Sequence, residues 1–105
     1  FPVALDFLDQ VVVLKPGFAE GWNRRATMHY LAGNLPKSMA DIERTLALEP
    51  RHFGALSGMA AIFMDIGKRE QALAAYRRVL DVYPQLREAQ QQVGVLEDEL
   101  SGSRI

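Results

Sequence analysis

FGALSGMAAIFMDIGKREQALAAYRRVLDVYPQL, residues 53–86, decides the fold. It opens on an apolar run, breaks at Gly67, resumes with one apolar face made of Ala72, Ala75, Tyr76, Val79 and Leu80, and stops at Pro84. Two runs at helical spacing parted by a glycine read as a helical hairpin, because glycine accepts the positive φ needed to leave a helix and turn back. The proline ends the second helix, since its ring and missing N–H disfavour continuing the ladder. These landmarks recur. Pro16, Pro50 and Pro84 stand 34 residues apart, as do Gly33 and Gly67, and Ala26, Ala60 and Gly94. Trp22 and Leu56 fill the same large apolar slot. The small residues let two helix backbones approach closely. An internal period near 34 means stacked helical hairpins.

Working outward, the pattern predicts six helices. The first covers 3–14, where nine of twelve residues are apolar and Asp6, Asp9 and Gln10 form a narrow polar stripe. Such a stripe means burial on most sides. The second covers 20–32, and the third opens with Pro36 in its first turn and presents Met39, Ile42, Leu46 and Leu48 to the core. The fourth and fifth cover 53–66 and 69–82. The sixth, 86–100, carries Gln90, Gln91, Gln92, Glu97, Asp98 and Glu99, the polar outer surface that a terminal cap needs. The tail 101–105 lacks periodicity and is expected to fray.

These residues resemble the tetratricopeptide repeat. In 53–86 the family pattern falls on Leu56, Ala60, Phe63, Gly67, Ala72, Tyr76 and Pro84; in 19–52 it falls on Trp22, Ala26, Gly33, Ser38, Ile42 and Pro50. The second of these departs from the pattern at His29, where an aromatic is usual, although Tyr30 stands beside it. Ala4, Leu8 and Pro16 are similar to the second half of an earlier repeat, and Gly94 lies in the first half of a later one. The expected fold is an all-α, short right-handed solenoid of antiparallel helix hairpins forming a single domain. It comprises a half repeat (1–18), full repeats 19–52 and 53–86, and a capping helix (87–100). The stretch 48–58 also resembles small bacterial members of the family, some of which are exported, and leaves the compartment undecided.

Composition narrows the function. Twelve Lys plus Arg against 13 Asp plus Glu give a net charge of −1, without the electrostatic footprint expected for nucleic acid or an anionic membrane surface. Cysteine is absent, so disulfides and thiolate metal sites are ruled out. No apolar run approaches the ~20 residues that span a bilayer. The chain begins with Phe1 rather than Met, and is expected to be a fragment or a processed form. His29 and His52 have no carboxylate spacing that makes a metal pair, and are expected to pack in a helix and to cap or flank one, respectively. Ser57 lacks the flanking glycines of a nucleophile elbow, and Gly54, Gly58 and Gly67 make no phosphate loop. Paired acids such as Asp41 and Glu43 read as solvated faces. Neither an enzyme nor a cofactor or metal site is expected.

The resemblance implies a binding surface. First helices of such hairpins line a concave groove for peptides or protein segments. The matching positions are Glu20, Asn23, Thr27, Tyr30 and Leu31; then Ser57, Ala61, Met64 and Asp65; then Glu88, Gln91, Val95 and Asp98. Their charged members are all acidic, so a basic or apolar segment is the expected ligand. The lysine, arginine and asparagine set with which some family members grip acidic chaperone tails is reduced to Asn23 and Arg24, which argues against that use. A second expected partner surface is the first helix, where Leu5, Phe7, Leu8, Val11 and Val12 lack a preceding helix and would be covered by another copy of the chain or by further parent sequence. The expected role is therefore a non-catalytic scaffold for protein–protein interaction. The alternatives are an RNA-binding helical-hairpin repeat, disfavoured by near-neutral charge, and a regulatory segment of a larger enzyme.

Overall fold

The computed structural model describes residues 1–102. Six helices make it all-α: α1 (Pro2–Leu14), α2 (Ala19–Leu31), α3 (Leu35–Leu48), α4 (Phe53–Asp65), α5 (Arg69–Val82) and α6 (Arg87–Gly102). No strand occurs among the described residues. The chain divides into two compact units, Phe1–Ala55 and Leu56–Ile105, with the division inside α4.

The 34-residue period is a period of backbone chemistry. Gly33 and Gly67 have φ of 81° and 76°. Each closes the same C-terminal motif: Asn34 N–H donates to His29 O and Gly33 N–H to Tyr30 O, just as Lys68 N–H donates to Phe63 O and Gly67 N–H to Met64 O. These bonds satisfy carbonyls that the helix end would leave open, and they need a left-handed residue in the middle. The prolines act on the residue before them. Lys15, Glu49 and Tyr83 end α1, α3 and α5 at φ of −133°, −136° and −135°, outside the helical region that a following proline disfavours. Beyond the prolines, Trp22 Nε1 donates to Pro16 O and Gln90 Nε2 to Pro84 O, both at 2.8 Å, so unlike side chains make one bond at equivalent places. Asn34 accepts from Lys37 N–H and starts α3, and His52 Nδ1 accepts from Ala55 N–H at the start of α4.

In the first unit α2 packs between α1 and α3. Ala26, nearly fully buried, lets α3 approach, and Ser38 Oγ donates to Ala26 O at 2.7 Å in the contact. Leu8 and Val12 are buried, at 8% and 4% exposure. They belong to the core, which corrects their expected place on a partner face: both lie on the side of α1 turned inward, and the apolar residues left outside include Val3, Phe7, Val13 and Leu14.

In the second unit Ala72, Leu73 and Leu96 form a buried cluster, with Phe63, Met64, Tyr76, Val93 and Leu100 packed against it. Leu100 anchors the last turn of α6, which runs through Gly102 instead of fraying from Ser101. The rest of the expected tail, 103–105, lies outside the described residues.

Candidate functional site

On α2 the expected groove residues sit at helical spacing but differ in freedom. Glu20 is half-buried and engaged from two sides, with Oε2 3.3 Å from His52 Nε2 and Oε1 3.7 Å from Arg24 Nε. Asn23 is half-buried; a Cβ at Gly54 would come within 3.0 Å of its Nδ2 and 3.2 Å of the His52 ring, so glycine makes room for both. Thr27 is exposed, its hydroxyl donating to Asn23 O at 3.1 Å. Tyr30 is half-buried and Leu31 exposed.

The second unit carries the remainder. Ser57, Ala61 and Met64 on α4 are half-buried, and Met64 is drawn into the core cluster. Asp65 on α4 and Glu88, Gln91, Val95 and Asp98 on α6 are exposed. Two of these acids converge electrostatically on α5. The Tyr76 phenol is raised above its ordinary value of 10.0, first by burial and then by the negative charge of Glu88 and Asp65. Its pH titration, followed by ultraviolet absorbance, should therefore lie above that value and fall back partway in Asp65→Asn with Glu88→Gln. Because the shift protects the neutral phenol, its contribution to stability is present below pH 10.0 and lost as pH rises through the raised value.

The α1 side of the first unit holds an apolar cleft that the sequence did not delineate. One cavity of about 470 Å³ is lined by Ala4, Phe7 and Leu8 of α1 and by α2 residues that include Glu20, Asn23 and Thr27. A second, about 330 Å³, shares Phe7, Leu8 and Arg24 with it and extends past Val11 and Leu14 to Phe18. Three of the five expected groove residues of α2, Glu20, Asn23 and Thr27, thus also wall a cleft against α1.

A polar cluster was missed outright. Asp41, expected to be solvated, is 4% exposed. Arg25 grips it with both arms, Nε to Oδ2 and Nη2 to Oδ1 at 2.8 Å each, while Nη1 reaches Asp9 at 3.1 Å. His29 Nε2 lies 3.8 Å from the same carboxylate. The hydrogen bond to Asp41 leads the causes that hold the Arg25 guanidinium more firmly charged. Arg25 and Arg44 also lie 5.1 and 5.5 Å from the centre of the Trp22 ring. A signal existed: Ser38, Asp41, Ile42 and Thr45 follow the i, i+3, i+4, i+7 spacing of a buried stripe, so a charge in that stripe needed a partner. Among the described residues, no three His, Cys, Asp or Glu side chains gather to hold a metal ion, and no helix is long and apolar enough to cross a membrane.

No family model matches the chain. A TPR repeat-containing protein of Rhizobium etli is 56% identical over 103 residues, which are 98% of this chain and 50% of that protein. The chain therefore spans about half the length of that curated relative. Among solved structures, MamA has a TM-score of 0.84 at 20% identity, covering 93% of this chain and 53% of that one. The Sgt2 TPR domain of Aspergillus fumigatus has a TM-score of 0.80 at 16% identity, covering 95% and 68% respectively. With its 34-residue hairpin register, its glycine and proline helix ends and its bacterial relative, the chain belongs to the tetratricopeptide-repeat family.

Proposed function

We propose that the chain is a scaffold without chemistry of its own that holds a basic, partly apolar peptide segment on the faces of its first hairpin helices. The observation that carries the reading is the pair of acids exposed in the second unit, Asp65 on α4 and Glu88 on α6, whose charges add to burial in raising the Tyr76 phenol. Asp98 adds a further exposed acid on α6, and exposed Val95 offers an apolar contact. A field of one sign selects a partner of the other and speeds its arrival.

A lysine-rich amphipathic peptide and its glutamate counterpart, titrated calorimetrically at low salt, test this. The lysine peptide should bind and the glutamate peptide should not. Asp65→Lys combined with Glu88→Lys should weaken binding at least about tenfold, or ~1.4 kcal/mol. Added salt should weaken the unmodified chain's binding as the Debye length shrinks toward about 8 Å. Equal uptake of both peptides would remove the acidic faces from the account.

A further inference from the structure

Phe18, His52 and Leu86 stand 34 residues apart and hold one place in the register, just ahead of a hairpin's first helix. Phe18 makes no side-chain bond to α2, and an apolar leucine has none to offer α6. Of the three, His52 alone carries a capping acceptor. Its Nδ1 accepts from Ala55 N–H at 3.0 Å, and its own backbone N–H donates to Glu49 O across the turn. The same ring reaches the other way, with Nε2 3.3 Å from Glu20 Oε2 on α2. Two positions on, the register departs again. Glu20 and Glu88 hold the place of Gly54, where a Cβ would come within 3.2 Å of the ring and 3.0 Å of Asn23 Nδ2. The departures at 52 and 54 together make one seat for an imidazole. That seat is nearly closed to water: the His52 side chain is 11% exposed and Ala55 0%.

The seat fixes the tautomer of the neutral ring. A backbone N–H only donates, so Nδ1 is the bare nitrogen and Nε2 carries the proton that Glu20 accepts. We propose that His52 is a pH-sensitive latch of the first unit: neutral, it holds α2 and the start of α4 on one ring; protonated, it releases the Ala55 amide and uncaps α4. The added proton lands on Nδ1, because Nε2 already holds one, and turns the acceptor into a donor aimed at another donor. Glu20 keeps its bond to Nε2 in either state, so the ring stays with α2 while the cap is lost. Glu20 faces the ring from α2, with Arg24 Nε 3.7 Å from its other oxygen, and exposed Glu49 and Arg51 flank His52 in the turn. Residues 53–55 of α4 add no titratable side chain. Glu20 favours the charged ring and the positive end of α4 opposes it, but neither restores an acceptor to Ala55. The freed amide, sealed from water, is satisfied once the first turn of α4 opens. Glu20 and Asn23 are among the positions expected to line the groove, so the latch sets one edge of that face. It stands on the geometry of the first unit and holds whatever ligand that face takes.

Nitrogen NMR of the imidazoles, with solvent exchange at the Ala55 amide, tests the latch. At about pH 8 the His52 ring should show a protonated Nε2 and a bare Nδ1. From there to about pH 5, across the ordinary imidazole value of about 6.5, the protection factor of Ala55 should fall at least about fivefold. His52→Asn keeps a capping oxygen that does not titrate, so its Ala55 protection should change less than about twofold over the same range, although His29 still titrates. A proton on Nδ1 at the higher pH would overturn the proposal. So would Ala55 protection that holds while the His52 ring charges, or that falls as far in His52→Asn.

Discussion

Leu96→Ala should destabilise the second unit by about 3 kcal/mol, the middle of the range for a buried leucine truncated in a packed core. Leu96 has no exposed surface and sits with Ala72 and Leu73, under Phe63, Met64 and Tyr76. α6 is the last helix described, and its polar links to α5 include the ion pairs Arg69–Glu99 and Arg77–Glu97, whose side chains are 46–58% exposed. Exposed pairs contribute roughly 0–1 kcal/mol each. Apolar packing therefore holds α6, and Leu96 is its centre. In urea the midpoint of the helical signal should fall, and hydrogen exchange should speed first in the amides of α6. Glu97→Gln and Glu99→Gln should each change the midpoint little. If Leu96→Ala lost under about 1 kcal/mol, or if the charge variants matched it, ion pairing would be the stronger attachment.

Asp41→Ala should remove about 2–4 kcal/mol from the first unit. Breaking a buried pair by deleting one partner leaves a desolvated charge, which costs about 3–5 kcal/mol where burial is complete. The Arg25 side chain keeps 22% of its exposure and a bond to Asp9, so the loss falls toward the lower part of that range. The pair is a device of geometry as much as of charge, joining α2 to α3 by two parallel bonds of 2.8 Å while the third arm of Arg25 reaches α1. Replacing both partners, Arg25→Met with Asp41→Leu, should recover most of what Asp41→Ala loses, because nothing charged is then stranded. Denaturant midpoints for the two variants decide the matter. A double variant as unstable as Asp41→Ala would mean that the ion pair itself, and not the stranded arginine, dominates.

The hairpin register was legible because it rests on residues whose backbone demands are local. A positive φ at Gly33 and Gly67 and a non-helical residue ahead of Pro16, Pro50 and Pro84 are set by the residue and its neighbour, whatever the chain packs against. The cleft and the Asp41 cluster were illegible for the opposite reason. Asp41 and Glu43 are both acids on one helix, and only the approach of Arg25 from α2 buries one and leaves the other in water. The apolar residues exposed on α1 differ in phase from those expected there. Nine apolar residues in twelve leave the pattern almost isotropic, so periodicity could not separate Leu8 and Val12, which face inward, from Phe7, Val13 and Leu14. Of the acids expected to line a groove, Asp65 and Glu88 both help to raise the Tyr76 phenol, and Glu20 lies against His52 and Arg24. That difference depends on distances between helices, which spacing along one helix does not encode.

The single tryptophan of the chain is Trp22, fixed by Pro16 O and flanked by the two arginines, and it lies wholly in the first compact unit. Its emission is therefore a gauge planted in one half of the molecule, while circular dichroism sums the helices of both. In repeat proteins cooperativity passes only between neighbours. The gap between the two melting curves would then measure how tightly one repeat's fate is tied to the next, with no label added.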